Sequence, residues 1–297
     1  MKRNRIVYLV GLLLPVLLAT QTALADTAAD LKQAEGLFKA RQYAQAEPIY
    51  RKILQSDPNS VEAAYQAGKM LPRILVATDR LLQAQEAIEQ LLARSASHAR
   101  LPHALHEILD QARTSGKTLQ VGQIYESLLD ARPEHPQAVW LKMGIAIANA
   151  HLGRDQAVES ALADVIDHHK ADDRSTEAFG QVAWAYRKLD QQDKARRVYQ
   201  YVVDTWPKRD RTVFSQRGIV LCSIVLDDQP GAAAGVEKLL ADYADSKYMA
   251  EIVRNIAAEY ARKGKLDQAR ELHQYVVDKH PQDNSQDNWG QSRMAVP

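Results

Sequence analysis

The chain has 297 residues, of which 46% are hydrophobic and 25% charged, a composition that excludes wholesale disorder. Its 13 glycines and 11 prolines are too few for many strands joined by tight turns, which argues against an all-β fold. The formal net charge of +1 gives no general field for nucleic acid, and the single cysteine, Cys222, excludes an internal disulfide framework.

Residues 1–25 have the layout of a secretory signal peptide. Three basic residues precede an apolar run over residues 6–19, and Ala23 and Ala25 supply the small residues of a cleavage site after Ala25. The run of 14 residues is shorter than the roughly 20 that span a bilayer, so we expect cleavage rather than a membrane anchor. The mature chain is therefore predicted to be periplasmic or secreted, with no integral membrane span.

Residues 26–283 are predicted to form a helical repeat. Four prolines, Pro58, Pro133, Pro207 and Pro281, lie 75, 74 and 74 residues apart. Before each proline, Ala (in one case Val) is followed four positions later by Tyr or His and then by two aliphatic residues, all on one face of a helix. Proline then stops the helix. A span of 74 residues holds two units of about 37, each with a helix A, a turn and a helix B, which gives about seven helix pairs.

The even-numbered units keep the two helical patterns but lack the closing proline. In the second unit, residues 70–72 (Met-Leu-Pro) interrupt the first pattern, which predicts a longer turn or a broken helix. In the sixth unit, residues 227–231 separate the two helices. Residues 284–297 are polar and aperiodic, so we expect a disordered tail.

The repeat resembles the tetratricopeptide-repeat family over about residues 27–283. That family has a small residue in helix A, an aromatic residue three positions later, Gly at the turn, Ala and then an aromatic residue in helix B, and a closing Pro. Asp190 stands in place of the turn Gly in the fifth unit. The positions assigned to the pattern are Ala34, Ala46, Tyr50, Pro58, Gly116, Tyr125, Pro133, Gly153, Ala183, Tyr186, Ala195, Tyr199, Pro207, Ala257, Tyr260, Gly264, Ala269, His273 and Pro281.

The resemblance implies an all-α fold, a right-handed α-solenoid of about seven helix-turn-helix repeats with a concave groove lined by helix A residues. Solenoids of this family bind extended peptides or helices, or hold the subunits of a complex together. Similar exported proteins serve cell-envelope assembly in Gram-negative bacteria. The function implied is a non-catalytic scaffold of the cell envelope that binds partner proteins or peptides. The alternative is a module that binds polysaccharide or peptidoglycan within an export or assembly machine.

The family pattern also indicates which helix A residues face the groove. Exposed Trp and Arg carry much of the binding energy at interfaces, although Trp140 and Trp184 could equally be packing residues. An aromatic groove around these two residues would suit the glycan alternative. The candidates for partner binding are His103, His106, Asp110, Arg113, Trp140, Met143, Trp184, Arg187, Lys188, Ser215, Arg254, Asn255 and Arg262.

The sequence contains no recognisable catalytic or metal-binding motif. His103 and His106 share a helix face, but with Glu107 they match neither zinc-binding helix motif, and the sequence names no third ligand. Cys222 lies in an apolar stretch and has no neighbouring base for nucleophilic catalysis. We therefore expect a protein that is not an enzyme and that uses no metal, cofactor or nucleic acid.

Overall fold

A computed structural model describes residues 27–56 and 61–281, and within these two ranges the regular structure is helical, with no strand. The all-α helical-repeat class predicted from the sequence is confirmed. The helices are α1 (27–39), α2 (Tyr43–Ser56), α3 (Val61–Ala77), α4 (Leu81–Arg94), α5 (Leu101–Thr114), α6 (Thr118–Ala131), α7 (Ala138–His151), α8 (Asp155–His169), α9 (Arg174–Lys188), α10 (Gln192–Thr205), α11 (Thr212–Val225), α12 (Gln229–Asp242), α13 (Met249–Arg262) and α14 (Leu266–Lys279).

The chain divides into two compact units. Unit 1 ends at Leu152 and contains α1 to α7, and unit 2 begins at Gly153 and contains α8 to α14. Odd-numbered helices are the first members of their pairs and correspond to helix A. In unit 1, α5 packs against both α3 and α7, and in unit 2, α11 packs against both α9 and α13. The helix A layer of each unit is therefore continuous, because each pair buries its apolar face against the next.

The turns within the pairs reveal the repeat length directly. Each turn contains one residue with φ between 57° and 74°, and these residues follow one another at intervals of 38 residues once and 37 thereafter. The predicted period near 37 and the seven helix pairs are confirmed. In six of these turns the next amide donates to the carbonyl five residues back, as from Lys265 to Tyr260 (2.9 Å), which closes the end of helix A. The seven residues are Arg41, Asp79, Gly116, Gly153, Asp190, Asp227 and Gly264.

One contact between neighbouring pairs recurs after 74 residues. Tyr125 on α6 lies against Gly144 on α7, and Tyr199 on α10 lies against Gly218 on α11. A Cβ atom on Gly144 would lie 2.3 Å from Cδ2 of Tyr125, and one on Gly218 would lie 2.5 Å from Cε2 of Tyr199. Any side chain at either glycine would therefore displace a buried ring. The aromatic residue of helix B is thus matched by a glycine in the following helix A.

The prediction of a broken helix at residues 70–72 is wrong, because α3 continues through Pro72 to Ala77. Proline removes the hydrogen bond to the carbonyl of Gly68 and strains that turn. The side chains on both sides of it are buried, with Leu71 4% and Ile74 0% exposed. Their burial holds the two halves of the helix in line and offsets the lost hydrogen bond. α2 likewise contains a proline, Pro48.

The helix ends follow the prolines as predicted where the structure describes them. α6 and α10 end two residues before Pro133 and Pro207. Pro58, the predicted signal peptide 1–25 with its cleavage site at Ala25, and the predicted tail 284–297 lie outside the described residues. Among the helices of residues 27–56 and 61–281, none is long and apolar enough to cross a membrane.

Candidate partner-binding surface

Four of the predicted groove residues are buried rather than displayed. Trp140 is 5% exposed, Ser215 is 2% exposed, and His106 and Met143 are completely buried. Their assignment to an open groove is therefore wrong for this structure. For Trp140, Met143 and Ser215 the reason lies in α7 and α11, which bury ten and eleven of their fourteen residues. Helices that are apolar on nearly every side are largely enclosed by neighbours, so little of the face opposite helix B is open to solvent.

The remaining candidates reach the surface at least in part. Trp184 is 37% exposed, and Asp110, Arg187 and Arg254 are half-buried. Unit 1 contributes only His103, Asp110 and Arg113 to this group of candidates, whereas unit 2 contributes twice as many. The exposed members are His103, Arg113, Trp184, Lys188, Asn255 and Arg262.

In unit 2, positive charges lie over aromatic rings along the helix A layer. On α9, Nζ of Lys188 is 4.7 Å from the ring centroid of Trp184. On α11, Cζ of Arg217 is 5.2 Å from the ring centroid of Phe214. The ring of Phe214 is in turn 4.8 Å, centroid to centroid, from that of Tyr248 beside α13. Cation–π contacts of this kind hold the long basic side chains against the helices.

Two arginines of this layer affect the pKa of one buried tyrosine hydroxyl. Burial raises the pKa of Tyr199 to about 12, and the positive charges of Arg187 and Arg217 partly oppose that rise. Burial also lowers the pKa of Arg217, an effect that Arg187 reinforces and Glu251 opposes. Two guanidinium groups, one from α9 and one from α11, therefore share the space around the Tyr199 side chain.

Among the described residues, no carboxylate forms a salt bridge with either guanidinium group, although the charge of Glu251 acts on Arg217. Within the described parts of the chain, the buried Nε atoms of Arg187 and Arg217 have no hydrogen-bond partner. Glu177 forms its salt bridge with Arg211 (3.1 Å), and Glu259 forms its salt bridge with Arg262. We name the set Trp184, Arg187, Lys188, Arg217 and Arg254 the helix-A surface of unit 2. Its four basic side chains make this surface positively charged.

The charges of unit 2 are segregated between its helix layers. The first helices α9, α11 and α13 carry six Lys and Arg against three Asp and Glu. The second helices α8, α10, α12 and α14 carry six Lys and Arg against eleven Asp and Glu. The helix A layer is therefore net positive and the helix B layer net negative. A negatively charged partner is attracted to the first and repelled by the second.

Unit 2 also contains an apolar cleft that sequence reasoning missed. Helices α8, α9 and α10 line a volume of about 400 Å³, which includes Leu162, Phe179 and Tyr201. At its rim, Nζ of Lys194 is 2.6 Å from Oδ2 of Asp155. Of the α8 side chains, only Val158 and Val165 are buried, so other apolar side chains of this helix, such as Leu162, stay partly exposed at the cleft. The signal available in the sequence was the set of apolar α8 residues that line the cleft, namely Val158, Leu162, Ala163 and Ile166.

Cys222 does not form a catalytic site. The side chain is completely buried, and that burial raises the pKa of its thiol to about 11. The thiol is therefore protonated at neutral pH and is a poor nucleophile.

The helices thus define a helical-repeat protein built from two-helix units. A model of the tetratricopeptide repeat family matches residues 28–60, which include most of α1 and all of α2, and residues 178–209, which include most of α9 and all of α10. The two matched segments are single helix pairs, one in each unit. They support the tetratricopeptide-repeat resemblance seen in the sequence. No match was found among curated protein sequences.

Several solved structures have similar helical repeats. The crystal structure of MamA is 17% identical with a TM-score of 0.37, and the match covers 60% of this chain and 98% of MamA. PilW, described as a widely conserved type IV pilus biogenesis factor, is 17% identical with a TM-score of 0.37 over 74% of this chain and 95% of PilW. A tetratricopeptide repeat protein from Parabacteroides merdae is 13% identical with a TM-score of 0.38, and the match covers 91% of this chain and 96% of that protein. With TM-scores below 0.5, these similarities carry no inference about partner or activity.

Proposed function

We propose that this chain is a non-catalytic protein-interaction scaffold that holds an acidic segment of a partner protein on the helix-A surface of unit 2. The observation that carries the proposal is the pair of guanidinium groups of Arg187 and Arg217, which flank Tyr199 and form no salt bridge with a carboxylate of the described residues. A guanidinium group binds a carboxylate through two parallel hydrogen bonds. The surface therefore suits Asp or Glu side chains, or a terminal carboxylate, of the partner.

The same surface supplies an apolar contact beside the charges. The ring of Trp184 is partly exposed and lies against Lys188. Trp and Arg are the residue types most often found to dominate binding energy at interfaces. A partner segment that combines acidic residues with one apolar side chain satisfies both features. Because the repeat holds these groups in place before binding, less conformational entropy is lost when the partner docks.

We propose further that the chain acts in the cell envelope, as a periplasmic or secreted protein that serves other envelope proteins. The support is the layout of residues 1–25, with its basic start, short apolar run and small residues before Ala25. Cleavage after Ala25 leaves a mature chain whose predicted repeat spans residues 26–283.

The glycan-binding alternative is weaker. It depended on Trp140 and Trp184 lining one aromatic groove, and Trp140 is buried with 5% of its surface exposed. Of the two rings only Trp184 is available to a sugar. We therefore favour a protein partner, and we expect purified peptidoglycan and envelope polysaccharide to show no binding to the chain in pulldown experiments.

The test is charge reversal on the two layers of unit 2. A photo-crosslinking residue at position 188 first captures partners from the native envelope, and the captured proteins are then purified for binding assays. Reversal of Arg187 and Lys188 to Glu is expected to weaken binding at least tenfold and to weaken its dependence on salt concentration, because two attractive charges become repulsive.

The matched control reverses two exposed charges on the second helices of the same unit, Lys238→Glu and Arg270→Glu. These changes are expected to leave binding within about twofold, and circular dichroism is expected to show unchanged helicity in both variants. Equal losses of affinity in the two variants, or crosslinking that is as efficient from position 270 as from position 188, would contradict the assignment of the surface.

A further inference from the structure

Three potential metal ligands meet between α5 and α7 in unit 1. His106 and Asp110 lie one turn apart on α5, and His151 is the last residue of α7, which packs against α5. Nε2 of His106 is 3.9 Å from Oδ1 of Asp110, and Nε2 of His151 is 4.0 Å from the same oxygen. The two imidazole rings lie nearly edge to face, with centroids 6.3 Å apart. Two nitrogen donors and one oxygen donor therefore point into one small volume.

The two histidines are buried, whereas the aspartate is partly exposed. The side chains of His106 and His151 are 0% and 1% exposed, so the packed helices hold both rings in place. The side chain of Asp110 is 23% exposed, so an ion can enter from solvent beside the carboxylate. Fixed imidazoles and an accessible carboxylate give a site that needs little reorganisation to be filled.

Two imidazoles and one carboxylate are a recognised ligand set for divalent transition metals, Zn²⁺ in particular. The three donor atoms all lie within 4.8 Å of one another. In a tetrahedral site with bonds of about 2.1 Å, neighbouring ligand atoms are about 3.4 Å apart. The two measured distances must therefore shorten by about half an ångström, and the separation of the two imidazole nitrogens, which is under 4.8 Å, must also approach about 3.4 Å, changes that side-chain rotations can supply.

We propose that Nε2 of His106, Nε2 of His151 and a carboxylate oxygen of Asp110 bind one divalent transition-metal ion of the Zn²⁺ class. The fourth position of the ion faces the solvent side of Asp110 and takes water or an external donor. The ion links α5 to α7, the first helices of two successive pairs, and so stabilises the helix A layer of unit 1. The site does not depend on the function proposed for unit 2.

The sequence pattern pointed to a different ligand group and therefore predicted no metal. It placed His103, His106 and Glu107 on one helix and offered no third ligand of the right spacing. His151 follows His106 by 45 residues and reaches it only because α5 and α7 are neighbours in the stack. Of the two histidines on α5, the buried His106 belongs to the cluster, whereas His103 is exposed.

The first experiment uses the untagged mature chain, stripped with a chelator and then titrated with Zn²⁺ and, separately, with Co²⁺. Calorimetry is expected to give one high-affinity equivalent per chain, and Co²⁺ is expected to give the absorption spectrum of a four-coordinate site. Free Zn²⁺ at a hundred times its Kd is expected to raise Tm by about 5 °C or more. The absence of stoichiometric binding of either ion to the folded chain would overturn the proposal.

The second experiment assigns the ligands. Asp110→Asn keeps the shape of a partly exposed side chain, so it is expected to fold and to lose at least 100-fold in metal affinity along with the Tm increase. His151→Asn is expected to do the same, whereas His103→Asn, one turn from His106, is the matched control and is expected to bind as the wild type does. If His151→Asn fails to fold, X-ray absorption of the Zn²⁺-loaded wild type decides, because imidazole ligands have a distinct scattering pattern. Unchanged binding in Asp110→Asn, lost binding in His103→Asn, or a spectrum without imidazole would each contradict the site.

Discussion

Units 1 and 2 are built from the same repeat but differ in how their charges are arranged. In unit 1, the first helices carry six Lys and Arg against five Asp and Glu, and the second helices carry three against five. In unit 2, the corresponding numbers are six against three and six against eleven. Strong segregation of charge between the layers is therefore a property of unit 2.

Individual pairings show the same difference. On the helix A layer of unit 1, Glu107 accepts a hydrogen bond from Arg73 (2.8 Å) and lies 3.6 Å from Nζ of Lys69. On the layer of unit 2, Arg187 and Arg217 have no such carboxylate among the described residues. A basic side chain that is already paired contributes little attraction to a partner. The packing pattern is therefore shared by both units, whereas the arrangement of their charged residues differs.

The largest expected difference between the units concerns their tryptophans. Trp140→Ala in unit 1 should lower the free energy of unfolding by about 3–5 kcal/mol, because it empties a large buried site. Trp184→Ala in unit 2 should change it by less than about 1 kcal/mol, because that ring is partly exposed. Urea denaturation followed by circular dichroism measures both values, and the partner-binding assay should give the reverse order of effects. An equal loss of stability in the two variants would mean that Trp184 is a packing residue.

The next prediction tests whether the two units share one packing rule. Gly144→Ala in unit 1 and Gly218→Ala in unit 2 should each destabilise by about 1–3 kcal/mol, since the added methyl group meets a buried tyrosine ring. The matched control is Gly180→Ala on α9, where no atom lies within 4 Å of the new Cβ. That change should stabilise by about 0.5–1 kcal/mol, because alanine favours a helix more than glycine does. A neutral result at Gly144 or Gly218 would show that the rings move aside freely.

The sequence predicted the repeat well because the repeat is a periodic property of single residues. The proline spacing gave the unit length, and Tyr125 and Tyr199 occupy the buried helix B positions that the pattern assigned to them. Pro72 was misjudged because local propensity cannot weigh the burial of the whole of α3 against one lost hydrogen bond. Local sequence patterns predict the repeat unit, whereas burial in the folded protein explains departures from it such as the uninterrupted helix at Pro72.

The candidate sites were harder to predict because they depend on contacts between repeats. Trp140 and Met143 were assigned to the groove from their place on helix A, yet α7 is enclosed on nearly all sides. The pairing of Tyr125 with Gly144 and of His106 with His151 joins residues on different helices, and no spacing within one helix reveals such pairs. The proximity of Arg217 to Arg187 was missed for the same reason, because the two residues lie on different helices.

The smallest expected effects are at the turns, where the two units use different residues for one backbone conformation. Gly116 in unit 1 has a φ of 67°, and Asp190 holds the corresponding position in unit 2 with a φ of 58°. Gly116→Ala should cost about 1 kcal/mol, because a Cβ is disfavoured in the left-handed region. Asp190→Gly should be neutral or stabilise by up to about 1 kcal/mol, since relief of that strain is partly offset by the greater freedom of glycine in the unfolded chain.

Arg41→Gly supplies a third measurement, because arginine tolerates a φ of 59° less well than aspartate does. It should stabilise more than Asp190→Gly, with both changes read from urea midpoints at constant m-value. A loss of stability in Arg41→Gly would indicate that the arginine side chain contributes more to the first turn than its backbone strain costs. We expect the most favourable change in stability from Arg41→Gly, a smaller one from Asp190→Gly and a loss from Gly116→Ala. This order should not depend on which unit contains the turn, because the strain arises within one residue and not from the surface around it.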